Sequence, residues 1–310
     1  MAKRKPSQLN LLLALDKPLG CTSHDVVARV RRSVSERRVG HAGTLDPLAT
    51  GVMLVGIGQA TRLLGQLTLD EKSYIADIGF GFETNTDDAE GEPTRTAPVD
   101  PRLRDAAFAR AVLQGFLGRS EQVPPAFSAI SVDGVRAYKR ARSGDEVELP
   151  ARPIEVRSAD LIALRDEEDG RFTWTVAFTV SKGTYIRALA RDIGRAAGSA
   201  AHVSALRRTA SGGVGLGSCL PVDVLDAELA RERALDPVFV LGLDPVALSD
   251  SMLEDVLLGR RVACSNASRL EDGSRVGLVH DRQLRALARV EAGWFVMEQV
   301  FPQGIEGVRS

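Results

Sequence analysis

Residues 40–51 read Gly40-His41-Ala42-Gly43-Thr44-Leu45-Asp46-Pro47-Leu48-Ala49-Thr50-Gly51, and this segment constrains the fold more than any other. Pro47 disfavours helical backbone at the residue before it and pushes Asp46 into an extended conformation. Gly40, Gly43 and Gly51 let the chain fold tightly and approach a ligand closely. The apolar run 52–57 that follows predicts a central strand. A loop of this kind holds one carboxylate in a fixed place at the edge of a sheet. It is equally readable as a glycine-rich connection in which Asp46 caps a turn.

Around it the pattern is mixed. Residues 11–15 predict a short buried strand, closed by Lys17-Pro18-Leu19-Gly20 as a turn. Ser23 is placed as a helix N-cap with Asp25 in the first turn, and Val26, Val27, Val30 and Val34 share one face. A strand is expected over 73–80, a polar acidic loop over 82–100 and an amphipathic helix over 103–117. Residues 154–164 and 172–181 form a hairpin around Glu168-Asp169-Gly170, and a helix runs from Tyr185 to Ala197. After Pro221 an acidic helix is expected to about Leu235. A helical stretch from about residue 245 then precedes three short strands near 275–280, 284–290 and 294–301. The expectation is a large α+β domain with a small β-barrel appendage.

At 310 residues the chain can bury a full core without disulfides or metals. Its three cysteines are far apart and include no CxxC pair, so neither a disulfide framework nor a zinc site is expected. Forty basic residues nearly balance 41 acidic ones. The balance is local, however: residues 1–40 hold nine Lys/Arg against three acids, and residues 182–208 hold six against one. A basic face can therefore bind phosphates on a chain that is neutral overall. No apolar run of about 18 residues occurs, and the basic start has no h-region behind it. A cytoplasmic protein with no membrane partner is expected.

Other chemistry is poorly served. Gly56-Ile57-Gly58-Gln59-Ala60-Thr61 lacks the third glycine of a dinucleotide fingerprint, and no P-loop, GxSxG elbow or HExxH occurs. Thr86-Asp87-Asp88-Ala89-Glu90-Gly91 has the wrong spacing for a calcium loop, and the four histidines are not spaced as ligands. No cofactor and no metal are expected.

The segment 40–51 resembles the catalytic motif of the bacterial TruB family of tRNA pseudouridine synthases. Further matches follow in family order: Leu15-Asp16-Lys17-Pro18, Lys72-Ser73-Tyr74, Thr86-Asp87-Asp88-Ala89-Glu90-Gly91 and Gln122-Val123-Pro124-Pro125-Ala126-Phe127-Ser128-Ala129. Then come Arg136-Ala137-Tyr138, Lys182-Gly183-Thr184-Tyr185-Ile186-Arg187 and His202-Val203-Ser204-Ala205-Leu206-Arg207-Arg208-Thr209. Together they span about two thirds of the chain.

The resemblance implies an α+β pseudouridine synthase domain over 1–240, with a mixed, mainly antiparallel sheet flanked by helices. It also implies a small PUA-like β-barrel domain over 245–310, in the actinobacterial version. The implied reaction isomerises the T-loop uridine, tRNA position 55, by flipping its base. Asp46 is then the catalytic carboxylate. It can attack C1′ of the sugar or C6 of the ring, or assist a glycal-like intermediate. Tyr74 is implied to stack on the flipped base, with Tyr185 beside it, and Arg187 to pair with Asp46 and keep it ionised. His41 is implied to contact RNA, Leu206 to pack at the uracil and Lys17 to support the Asp46 loop. Arg29, Arg31, Arg32, Arg37, Arg38, Arg207 and Arg208 are candidates for phosphate contacts. The implied partner is the T-arm of tRNA, and the enzyme is expected to be a monomer. Two alternatives stand beside this reading: a non-catalytic tRNA-binding or tRNA-folding protein using the same groove, and a guide-RNA-dependent synthase of the archaeal and eukaryotic type.

Overall fold

Leu11, Leu12, Leu13 and Leu15 are each at most 1% exposed, so the strand that carries them is covered on both faces. The computed structural model describes residues 7–67, 71–128, 131–132, 135–136, 149–167, 171–264 and 270–309. The expected turn at 168–170, Ala129, Tyr138 and the first six residues lie outside them.

The chain begins with β1 (Leu11–Lys17), α1 (Ser23–Ser33), β2 (Val39–Ala42) and β3 (Ala49–Ile57), then a 3-10 turn at Gly58–Leu63. Next come β4 (Glu71–Phe80), β5 (Phe82–Thr84), β6 (Pro93–Thr96), α2 (Ala106–Gln114), β7 (Gly118–Gln122) and the short pair β8 (Ser131–Val132) and β9 (Val135–Arg136). They lead to β10 (Arg152–Asp166), β11 (Phe172–Ser181), α3 (Ile186–Ala196) and β12 (Ala201–Ser211). The remainder holds β13 (Val214–Gly215), β14 (Cys219–Pro221), α4 (Ala227–Glu232), α5 (Pro237–Val240), β15 (Asp244–Ala247) and α6 (Asp250–Leu257). It closes with β16 (Val262–Ala263), β17 (Arg275–His280), β18 (Gln283–Glu291) and β19 (Trp294–Glu306).

Two compact units result. One comprises Met1–Pro47, Gly51–Thr68 and Gly212–Ser310, and the other Leu48–Thr50 and Leu69–Ser211. In the first unit β1 lies between β14, parallel to it, and β3, antiparallel, and β2 also pairs with β3. Side chains alternate along a strand, and both faces of β1 are used. Leu11, Leu13 and Leu15 pack with Val26, Val27 and Val30 of α1. Leu12 and Ala14 pack on the other side with Leu284, Leu287, Phe301 and Ile305. Those four residues belong to a five-stranded sheet, ordered β15-β17-β18-β19-β16, which is the curled, PUA-like half-barrel expected at the C-terminus. Its turns have left-handed backbone at Asp281 and Arg282, and at Ala292 and Gly293, matching two-residue hairpin loops.

In the second unit β12, β4, β11, β10 and β7 pair antiparallel in that order. Phe80 and Trp174 meet with ring centroids 4.7 Å apart, and the Trp174 indole N–H donates to the Leu103 carbonyl at 2.8 Å. Ile186, Leu189, Ala190 and Ile193 are the buried face of α3, as expected. Gly194 is required there, because a Cβ would lie 2.5 Å from that of Ala201.

Several local expectations are corrected. Thr22, not Ser23, caps α1: its hydroxyl accepts the Asp25 N–H, and the Asp25 carboxylate accepts the Thr22 N–H in return. The expected loop 82–100 contains the hairpin β5–β6, stabilised where Arg95 and Arg195 neutralise buried Glu83 at 2.6 Å each. The helix expected over 103–117 is confined to α2, with a 3-10 turn at Pro101–Arg104 before it. The acidic helix expected after Pro221 to about Leu235 is confined to α4, because Asp226 is spent as its N-cap. Beyond that stretch Asp236 caps a separate short helix, α5, that begins at Pro237. β15 precedes α6 where helix alone was expected.

His202 yields a test of this packing. It is 1% exposed, stacked on Phe82 at 4.3 Å, and donates its Nδ1–H to the Phe82 carbonyl at 3.0 Å. Burial lowers its pKa below the ordinary 6.5. The stability it contributes is therefore whole above pH 6.5 and is lost as acid forces a proton onto the ring. Between pH 7 and 5, urea denaturation should show a smaller pH-dependent loss in His202→Asn than in the parent. Equal losses would remove His202 as the titrating group.

Candidate active site

The first unit supplies the Asp46 loop, and the backbone is pinned on both sides of Asp46. The Ser23 hydroxyl donates to the Leu45 carbonyl at 3.0 Å and accepts the Leu45 N–H at 2.9 Å. One residue beyond Asp46, the Pro47 carbonyl accepts from Lys17 Nζ at 3.3 Å and from the Gly20 N–H at 3.0 Å. Lys17 is fully buried and also donates to the Pro18 carbonyl at 3.0 Å. The extended backbone that Pro47 imposes is thus locked by side chains from β1 and α1. His41, on β2, meets His24 edge-on at 5.7 Å between centroids.

Leu48–Thr50 belong to the second unit, where Arg207 donates to the Thr50 hydroxyl at 3.2 Å. Tyr74 sits on β4 at 8% exposure, with Phe178 of β11 and Arg208 of β12 as its register partners. Leu206 lies on β12 in register with Ala76. Lys72, two residues before Tyr74 on the same strand face, has its pKa lowered to about 8 by burial and by the Arg208 charge. Arg208 is itself 1% exposed, so it is a buried cation beside Tyr74 and not a surface contact.

Tyr185 and Arg187 are set by a different group of residues. Tyr185 occupies the N-cap position of α3 with no side-chain cap of its own. Buried Gln122 takes that role, accepting the Tyr185 N–H at 2.9 Å and donating to the Tyr185 carbonyl at 3.1 Å. Arg187 is 5% exposed and donates to the Thr86 carbonyl at 2.8 Å and the Phe127 carbonyl at 3.0 Å, with Asp88 at 3.4 Å. One turn on, Arg191 pairs with Asp87 at 2.9 Å. Asp87 has its pKa raised to about 6, because burial outweighs the neighbouring arginines. The sequence reading quoted Gln122 and Asp87-Asp88 within motifs but assigned them no role. Their partners lie 63 and about 100 positions away in the chain, so no local pattern signals these roles.

Residues 31–186 match the TruB family pseudouridylate synthase N-terminal domain, and residues 187–247 match the tRNA pseudouridylate synthase B C-terminal domain. The chain belongs to the TruB family. Its relatives include the tRNA pseudouridine synthase B of Mycobacterium sp. (strain KMS), 44% identical over 275 residues that cover 87% of this chain and 92% of that protein. The enzyme of the same name from Thermobifida fusca (strain YX) is 46% identical over 289 residues, covering 91% and 95%. Among solved structures, the crystal structure of a Cbf5-Nop10-Gar1 complex aligns with a TM-score of 0.64 at 25% identity, over 94% of this chain and 85% of that one. An H/ACA RNP bound to a substrate RNA shares the fold, with a TM-score of 0.64 at 23% identity over 95% and 85%. As a TruB family member the chain is a pseudouridine synthase, an RNA-binding isomerase of the tRNA-modifying kind.

The Ser23 clamp can be tested apart from catalysis. Ser23→Ala should leave the Leu45 N–H and carbonyl without their shared partner and cost about 1–3 kcal/mol. Hydrogen exchange at the Leu45 amide should accelerate in the variant. Unchanged exchange would show that the hydroxyl does not hold the loop.

Proposed function

We propose that this TruB family chain converts the T-loop uridine at position 55 of tRNA to pseudouridine, with Asp46 as the catalytic carboxylate. The observation that carries this is the two-sided pinning of Asp46. Hydrogen bonds from Ser23, Lys17 and Gly20 hold the backbone on either side of it. A group that must meet one ring carbon or one sugar carbon benefits from such preorganisation, since its entropy of positioning is lost during folding and not at each turnover.

The reaction is an isomerisation. The N1–C1′ bond breaks, a C5–C1′ bond forms, the proton on C5 leaves and N1 gains one. No electron donor, acceptor or group carrier enters that balance. Asp46 serves either as the nucleophile at C1′ or C6 or as the base that generates a glycal. Tyr74 stacks on the extruded uracil, and its hydroxyl is available for proton transfer. Stacking offsets the few kcal/mol that flipping costs. Tyr185 and Leu206 complete the uracil site, Arg187 keeps Asp46 ionised, Lys17 holds its loop, and His41 contacts the RNA. The basic residues Arg31, Arg32 and Arg37 line a surface cavity of about 450 Å³ and are proposed to meet phosphates. We read the enzyme as a monomer of the cytoplasm that uses no metal and recognises the T-arm by shape.

The decisive experiment incubates the purified chain, with EDTA, on an unmodified tRNA transcript and maps pseudouridine by carbodiimide adducts and primer extension. A single stop at the T-loop uridine is expected. Asp46→Asn should abolish it while tRNA affinity stays within about tenfold, because phosphate and shape contacts supply most of the binding. Turnover by that variant near the parental rate would sink the assignment. Absence of any stop from the parent, with binding retained, would favour a binder or a guide-RNA-dependent enzyme.

Tyr74→Phe separates the two proposed uses of the ring. Loss of turnover with affinity retained would assign the hydroxyl to proton transfer. Full activity would leave the ring as a stacking surface alone.

A further inference from the structure

Phe239 is 69% exposed and is the one strongly exposed phenylalanine among the described residues. It sits on the first turn of α5, at the wall of a cavity of about 610 Å³. Gly213, Gly217, Ser218, Arg233, Asp236 and Arg309 are among the other lining residues, and all belong to the first unit. A volume of this size suits a nucleotide-sized ligand.

The charges in this cavity are unequal in their commitments. The Asp236 carboxylate is consumed by the backbone: it accepts the Val238 N–H at 2.9 Å, the Phe239 N–H at 3.2 Å and the Arg309 N–H at 2.7 Å. Arg233 and Arg309 are exposed, and among the described residues their guanidinium groups make no hydrogen bond or ion pair. Two uncommitted guanidinium groups therefore flank an exposed aromatic face. A Cβ at Gly213 would meet the Phe239 ring at 3.8 Å, so the glycine leaves the space beside the ring open.

We propose that this cavity binds an unpaired nucleotide of the RNA substrate, its base stacked on Phe239 and its flanking phosphates held by Arg233 and Arg309. Bases stack on aromatic side chains irrespective of sequence, and guanidinium groups hold phosphates bidentately. The surplus of positive charge matches an RNA strand and not an acidic-poor apolar peptide. Such a contact positions RNA without carrying chemistry, and it rests on the reading of the chain as a tRNA-modifying enzyme.

The test uses the full chain and an unmodified tRNA transcript. Phe239→Ala should raise the Kd for the transcript about tenfold, and the loss should appear in KM with kcat retained. Phe239→Trp should restore affinity, because the larger ring still stacks. The double variant Arg233→Gln, Arg309→Gln should lower the slope of log affinity against log salt by about 1.5, the signature of two lost phosphate contacts. A transcript carrying 4-thiouridine should crosslink under ultraviolet light to the peptide that contains Phe239. Unchanged Kd and salt slope in these variants, with no crosslink to that peptide, would overturn the proposal. Failure of the parent to modify the transcript would count against the enzymatic reading alone, since affinity and crosslinking report on the cavity without turnover.

Discussion

A lysine ammonium shut away from water holds the Asp46 loop to the end of the first strand. Burying an unpartnered charge costs many kcal/mol, so Lys17 is tolerated only because oxygen atoms surround it. Two of these are the carbonyls of Pro18 and Pro47. Lys17 also closes the register of β1 against Gly51 of β3. The residue thus ties two positions of the segment 40–51 to one point: Pro47 through its side chain and Gly51 through its backbone. Covered on one face by α1 and on the other by the C-terminal sheet, β1 gives this anchor a rigid base.

The second unit solves a related problem by charge pairing. Arg187, Arg191 and Arg195 recur at every fourth position of α3 and therefore form one stripe. Asp88, Asp87 and Glu83 meet them in turn, from β5 and the turn that follows it. The three acids have side chains at most 9% exposed, which makes them a buried counter-stripe and not a solvated loop. A left-handed backbone at Asp87 lets consecutive acids reach consecutive turns of the helix. Removing one partner would strand a buried charge, so the array acts as a device for fixing where α3 begins. Tyr185 and Arg187 stand at that beginning.

This array also explains what the sequence could and could not disclose. The strands β1 and β3, the valine face of α1 and the buried face of α3 were legible, because each rests on local periodicity or on residues adjacent in the chain. The basic stretch 182–208 read as a surface for phosphates, yet Arg187, Arg191 and Arg208 are buried or internally paired. The acids that neutralise Arg187 and Arg191 lie about 100 positions earlier, in a segment that reads as loop, and no local window contains both. Ser23 misled for a similar reason: a serine before a helix suggests a cap, while its hydroxyl is engaged 22 residues away on Leu45. Asp226 falls inside the expected acidic helix and is its cap, so that helix starts only at Ala227.

Backbone clamps dominate both halves of the candidate site, and this has a chemical logic. Gln122 holds the N–H and carbonyl of Tyr185 as Ser23 holds those of Leu45. In each case a neutral side chain satisfies a donor and an acceptor at once, next to a residue proposed to meet the substrate. A hydroxyl and an amide fix position without adding a charge beside the neighbouring group. Substitution of Ser23 or Gln122 should therefore loosen the segment it holds without moving the pH dependence of turnover.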